Sequence, residues 1–127
     1  MEKPRFICWK DAIMFNRTNE SRLSPRINFS GPLRCQVRGS QEITGTISED
    51  LSASGVKFIA GKFIPPNTPV MLEINLLSKV VRPIAQIVWS MPFPRQEKFH
   101  LGAKFLEWDP QEKKSFSDFL NMRLNQQ

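Results

Sequence analysis

The 127-residue chain has one histidine, two cysteines and no apolar run long enough to cross a bilayer. Each scarcity excludes something. His100 stands alone within a strand-like pattern, so HExxH and multi-histidine metal sites are ruled out. Cys8 and Cys35 lie far apart, and neither has a partner at metal-ligand spacing. They read as reduced thiols of a cytoplasmic protein. Neither sits in a nucleophile motif, and no Gly-rich phosphate loop is present. The expectation is therefore a protein that is not an enzyme and holds no metal or cofactor. The first residues lack a basic, apolar and small-residue succession, so no secretory signal is expected. There is no internal repeat and no low-complexity stretch.

What is present suffices for one domain with a modest core: 40% of residues are hydrophobic. The formal charge is +6, and its distribution is uneven. Residues 1–38 hold 8 basic and 3 acidic side chains, against 10 and 9 in the remainder. The basicity is thus N-terminal, which suits an anionic ligand or surface docking there. A nucleic-acid coat would place a basic stripe along the whole fold instead.

Residues 1–19 are ambiguous. Phe6, Trp9 and Ile13 fit a short amphipathic face, while Phe6-Ile7-Cys8-Trp9 fits a strand equally well. Residues 20–127 read as one domain. Strand patterns cover 33–38, 42–49, 55–60, 69–77, 80–90 and 98–107. Val70, Leu72, Ile74 and Leu76 alternate with outward positions. The run from Ile84 to Trp89 is mostly apolar, as for a strand covered on both sides. Arg38-Gly-Ser40, Pro65-Pro-Asn67 and Met91-Pro-Phe-Pro94 supply turns. Six short strands at this spacing predict an all-β, six-stranded antiparallel barrel, in which closure removes exposed edges. A helix follows. Asp109 is its N-cap, Pro110 its first residue and Glu112 the capping-box partner, with Phe116, Phe119, Leu120 and Leu124 on one face.

Two short motifs carry the chemistry. Arg22-Leu-Ser-Pro-Arg26 puts two guanidinium groups close together on a non-helical stretch, because Pro25 disfavours helical angles at Ser24. Asp50-Leu-Ser-Ala-Ser-Gly55 is a tight polar turn after a strand. Composition predicts RxxxR by chance about 0.6 times in this chain, and DxSxxG only about 0.02 times. RxxxR in fact occurs twice. In the second copy, Arg34 and Arg38 alternate with Leu33, Cys35 and Val37, the pattern of a solvated strand face. The first copy is therefore the candidate site.

The order RxxxR then [D/N]xSxxG resembles the PilZ domain family. Gly55-Val-Lys-Phe58, Ile87-Val-Trp89 and Leu101-Gly-Ala-Lys-Phe105 look like the family's later strands, so the resemblance spans roughly residues 20–123. It implies a PilZ-like barrel with a C-terminal helix that senses the bacterial second messenger cyclic di-GMP. Arg22 and Arg26 would then take phosphates and guanine O6/N7 edges, which match a guanidinium fork. Asp50 would accept from guanine N1–H and N2–H₂, a donor pair that adenine lacks. Ser52 would contact phosphate or fix the turn, and Gly55 would permit a tight backbone or close ligand approach. Ligand would order the arginine arm, and the new surface would be read by an unidentified downstream protein in motility, exopolysaccharide synthesis or biofilm control. Two features depart from the pattern. Ser21 stands where many relatives have another basic residue, which bears on ligand stoichiometry, and the aromatic N-terminal segment has no counterpart. The alternatives are a small basic barrel binding single-stranded nucleic acid and a PilZ-like interaction module without ligand.

Overall fold

The computed structural model describes residues 25–125. The strands are β1 (Ile27–Asn28), β2 (Pro32–Val37), β3 (Ile43–Leu51), β4 (Gly55–Ala60), β5 (Pro69–Asn75), β6 (Val80–Val81), β7 (Ile84–Pro92) and β8 (Phe99–Glu107), followed by helix α1 (Pro110–Asn125). All pairings are antiparallel. The order β3-β2-β5-β7-β8-β4 returns to β3, which closes a six-stranded barrel. The short β1 and β6 add to β3 and β5. The expected all-β barrel with a C-terminal helix is what forms.

Alternation explains the wall. On β4, Val56, Phe58 and Ala60 are buried, while Gly55, Lys57 and Ile59 face out. Phe58 and Leu101 pair across β4 and β8, and both are fully buried. Burying such a side chain contributes about 1.5–3 kcal/mol. Cys35 belongs to this core, and burial pushes its thiol up to about 11, so it is no thiolate nucleophile.

Several boundaries differ from the sequence reading. The 80–90 run is two strands, broken at Arg82-Pro83, because Pro83 has no N–H to give the ladder. The Met91-Pro92 pair remains in β7, and the hairpin turns beyond it, where Phe93 N–H donates to Lys98 O at 2.9 Å.

Helix α1 starts as its residues predict. The amides of Gln111 and Glu112 donate to Asp109 Oδ2 at 3.1 and 3.2 Å. Glu112 does not close a capping box, however. Its Oε1 accepts from Arg82 N–H at 2.7 Å, tying the helix start to the β6–β7 link. Phe116 and Leu120 are buried, with Phe105 and Trp108 edge-on or tilted against Phe116 and Phe29 edge-on to Phe119. This face packs onto the core, as read.

Candidate functional site

β1 decides where the described end of the arginine arm lies. Ile27 is 1% exposed and pairs with Leu51, and Asn28 pairs with Asp50. Phe29 is buried as well, and its carbonyl accepts from the buried Ser48 hydroxyl at 2.8 Å. Two anchored apolar side chains thus bring Arg26 beside the end of β3. Its Nη1 is 3.5 Å from Asp50 Oδ1, a loose ion pair rather than a tight fork. Arg22 lies outside the described residues.

Asp50 belongs to a strand, not to the turn. β3 runs on to Leu51, and a bulge aims the carboxylate: Ser48 pairs with Phe58 and Asp50 with Lys57, leaving Glu49 as the extra residue. The Asp50 side chain is 20% exposed. Burial raises its carboxyl above the usual value, and the nearby charges of Arg26 and then Lys57 offset that rise only in part.

The following turn is organised by Ser52, itself buried. Its Oγ accepts from the amides of Ser54 and Gly55 at 3.3 and 3.2 Å, and its own N–H donates to Gly55 O at 2.9 Å. This hydroxyl fixes the turn. Gly55 has no left-handed backbone. The need for glycine is steric, since a Cβ there would sit 2.3 Å from Ala103 O on β8. The close approach is to the neighbouring strand.

Arg26, Asp50, Ser52 and Gly55 line one cleft on the outer wall formed by β4, β8 and β7. The cleft also includes Lys57, Trp89 and Lys104, which sequence reasoning did not single out. Lys57 was legible in principle, as an outward position two residues past the motif. Trp89 was not. A bulge at Val88 changes the alternation of β7: Ile87 pairs with Ala103, but Trp89 pairs with Gly102. The indole therefore lies on the outer wall, not in the barrel core, and is 7% exposed. Gly102 makes room, for a Cβ there would meet Trp89 Nε1 and ring carbons. Arg34 and Arg38 do not join the site. Arg34 faces out from β2, three strands away from β8 around the ring.

The Asp50 carboxyl gives a stability test. Its folded pKa lies above the unfolded value, so its favourable contribution is complete only below the unfolded pKa. That contribution disappears as pH rises through the folded value, and at neutral pH the ionised group is a net cost. Asp50→Asn should therefore raise the melting temperature slightly at pH about 7. The gain should vanish below pH about 4, where the carboxyl is protonated in both states. Thermal melts across pH check both the sign and the window. A melting temperature that falls at neutral pH would contradict this reading of the carboxyl.

In comparisons with known proteins, no curated sequence matches the chain. Solved structures do. The Bacillus subtilis inhibitor of motility, MotI/DgrA, aligns with a TM-score of 0.69 at 17% identity, covering 85% of this chain and 53% of its own. The chain thus spans about half the length of that protein. The PilZ domain of YcgR from Escherichia coli, solved with cyclic di-GMP, aligns at 0.58 and 18% identity, covering 84% of this chain and 93% of its own. The PilZ domain of CeSA from a cellulose-synthesizing bacterium aligns at 0.53 and 18%, covering 71% and 88%. At these identities the likeness speaks for the fold. The model of the PilZ domain matches residues 20–121, most of the sequence. With that match over most of its length, and with the barrel and its helix in place, this chain belongs to the PilZ domain family.

Proposed function

We propose that this protein is a cyclic di-GMP receptor that acts as an adaptor, and that its ligand site is the outer-wall cleft of Arg26 and Asp50. The observation that carries the reading is their juxtaposition. A forked cation and a desolvated carboxylate stand 3.5 Å apart beside the Ser52–Gly55 turn. Guanine presents both complements: O6 and N7 as acceptors, N1–H and N2–H₂ as donors. Arg26 would leave Asp50 for the purine edge or a phosphate, and the freed Asp50 carboxylate would accept from guanine N1–H and N2–H₂. Arg22 would join from the arm, whose ordering on the barrel would be the signal passed to a partner protein. Two structural neighbours support this reading: the YcgR PilZ domain, solved with cyclic di-GMP, and MotI/DgrA, an inhibitor of motility.

Selectivity tests it. A ligand at a hundredfold excess over its Kd adds about 2.7 kcal/mol to the folded state. Cyclic di-GMP should therefore raise the melting temperature by several degrees. Cyclic di-AMP has the same backbone and charge but no N1–H and N2–H₂ donor pair, and should leave it almost unchanged. Equal shifts with both would mean binding by charge alone.

A further inference from the structure

The β3 bulge does more than aim Asp50. It leaves two consecutive carboxylates beside one lysine. Lys57, paired with Asp50 in the ladder, has its Nζ 3.9 Å from Glu49 Oε1. The same Glu49 oxygen is 2.9 Å from His100 Nδ1. The Phe93 ring stacks on the imidazole, with centroids 4.1 Å apart and planes at 16°. All three polar side chains are held against the wall, between 20% and 27% exposed. Lys57 also lines the cleft of Arg26, Asp50 and Trp89. Glu49 and His100 connect to it through Lys57.

We propose that Lys57 is a third cation for the ligand, contacting a phosphate, and that the Glu49–His100 pair sets the strength of that contact. This rests on the cyclic di-GMP reading above. The ligand carries two phosphates, and an ammonium matches a phosphate as a compact point charge. Arg22 and Arg26 come from the arm, whereas Lys57 comes from the barrel. The phosphate competes with Glu49 for Lys57. Once His100 is protonated, the imidazolium holds Glu49 and adds a positive charge to the row. The anionic ligand then binds more tightly, and by linkage its binding favours the protonated imidazole.

The charged groups facing this row are Glu49 and Asp50 from β3, Lys57 from β4, His100 and Lys104 from β8, Lys98 just ahead of β8, and Arg26 ahead of β1. β7 offers Trp89 and Met91, which carry no charge. His100 is the sole histidine, and histidine is the side-chain type that serves as a charge switch near neutral pH. Protonation of Asp50 would act in the opposite direction, weakening guanine recognition. A gain in affinity on acidification therefore belongs to His100.

The test is calorimetric titration of the full chain with cyclic di-GMP at about pH 6 and about pH 8, at fixed ionic strength. The wild type should bind roughly three- to tenfold more tightly at the acid end. Lys57→Ala should lose roughly tenfold and flatten the pH dependence, while Lys57→Arg should restore most of the affinity. Glu49→Gln should bind more tightly than wild type at about pH 8 and show a weaker pH dependence. Ligand addition should increase the protonated fraction of the His100 imidazole, followed by NMR. A Lys57→Ala affinity equal to wild type, or a wild-type affinity that ignores pH, would overturn this proposal and leave the receptor reading standing. Absence of wild-type binding at both pH values would overturn the two together.

Discussion

Arg26→Ala should weaken cyclic di-GMP binding by roughly tenfold to a hundredfold, the equivalent of one bidentate contact at about 1–3 kcal/mol. Its melting temperature should hardly change. The two expectations separate because the guanidinium contributes little to the fold. Its partner is 3.5 Å away and the side chain is 40% exposed. Such exposed pairs contribute about 0–1 kcal/mol. What anchors the segment is Ile27 and Phe29, which the substitution leaves in place. Arg26→Lys should recover only part of the loss, since it keeps the charge without the fork. Calorimetry alongside thermal melts reads both effects. Unchanged affinity for Arg26→Ala would remove the arm from the site.

Gly55→Ala should do the reverse, damaging the fold first and the site in consequence. A methyl at this position would stand 2.3 Å from Ala103 O and 3.3 Å from the Lys104 Cα. Both are backbone atoms, so no rotamer change relieves the clash. β4 must move off β8 where Gly55 pairs with Lys104 and where Phe105 N–H donates to Ser54 O at 2.8 Å. Overpacking of this kind costs about 1–3 kcal/mol, occasionally more. On a net stability of about 5–15 kcal/mol that is a large share. A domain of this size should lose roughly 5–15 °C of melting temperature. The Ser52 turn shifts with β4, so ligand affinity should fall as well. Gly45→Ala is the control. Its added Cβ meets nothing within 4 Å, and its melting temperature should stay near wild type. Equal, small effects at both glycines would contradict the close-approach account.

The legible parts of the chain were those where one face of a strand is buried without interruption. Val70, Leu72 and Ile74 on β5 and the cap of Asp109 on α1 follow from residue type and spacing. The approach of Arg26 to Asp50, 24 residues on, was not legible, because it rests on the burial of Ile27 and Phe29 ahead of the first strand pattern read from the sequence. The other illegible parts lie at irregularities. A bulge adds one residue and reverses the faces beyond it. At Glu49 it put Asp50 on a strand and both acids near Lys57. At Val88 it put Trp89 on the outer wall, where the mostly apolar run had suggested only a strand covered on both sides. The site is assembled at these two bulges, so a strict period of two could find its motif residues but not their company.

The most direct test of the central claim, that Asp50 and Arg26 receive one guanine nucleotide together, is calorimetric titration of the full chain with cyclic di-GMP, for the wild type and Asp50→Ala. The account predicts saturable heat with the wild type. It predicts affinity at least roughly tenfold lower in a folded Asp50→Ala variant, whose cleft no longer accepts the guanine donors. No heat from the wild type at high protein concentration, or equal affinity in the two proteins, would contradict it.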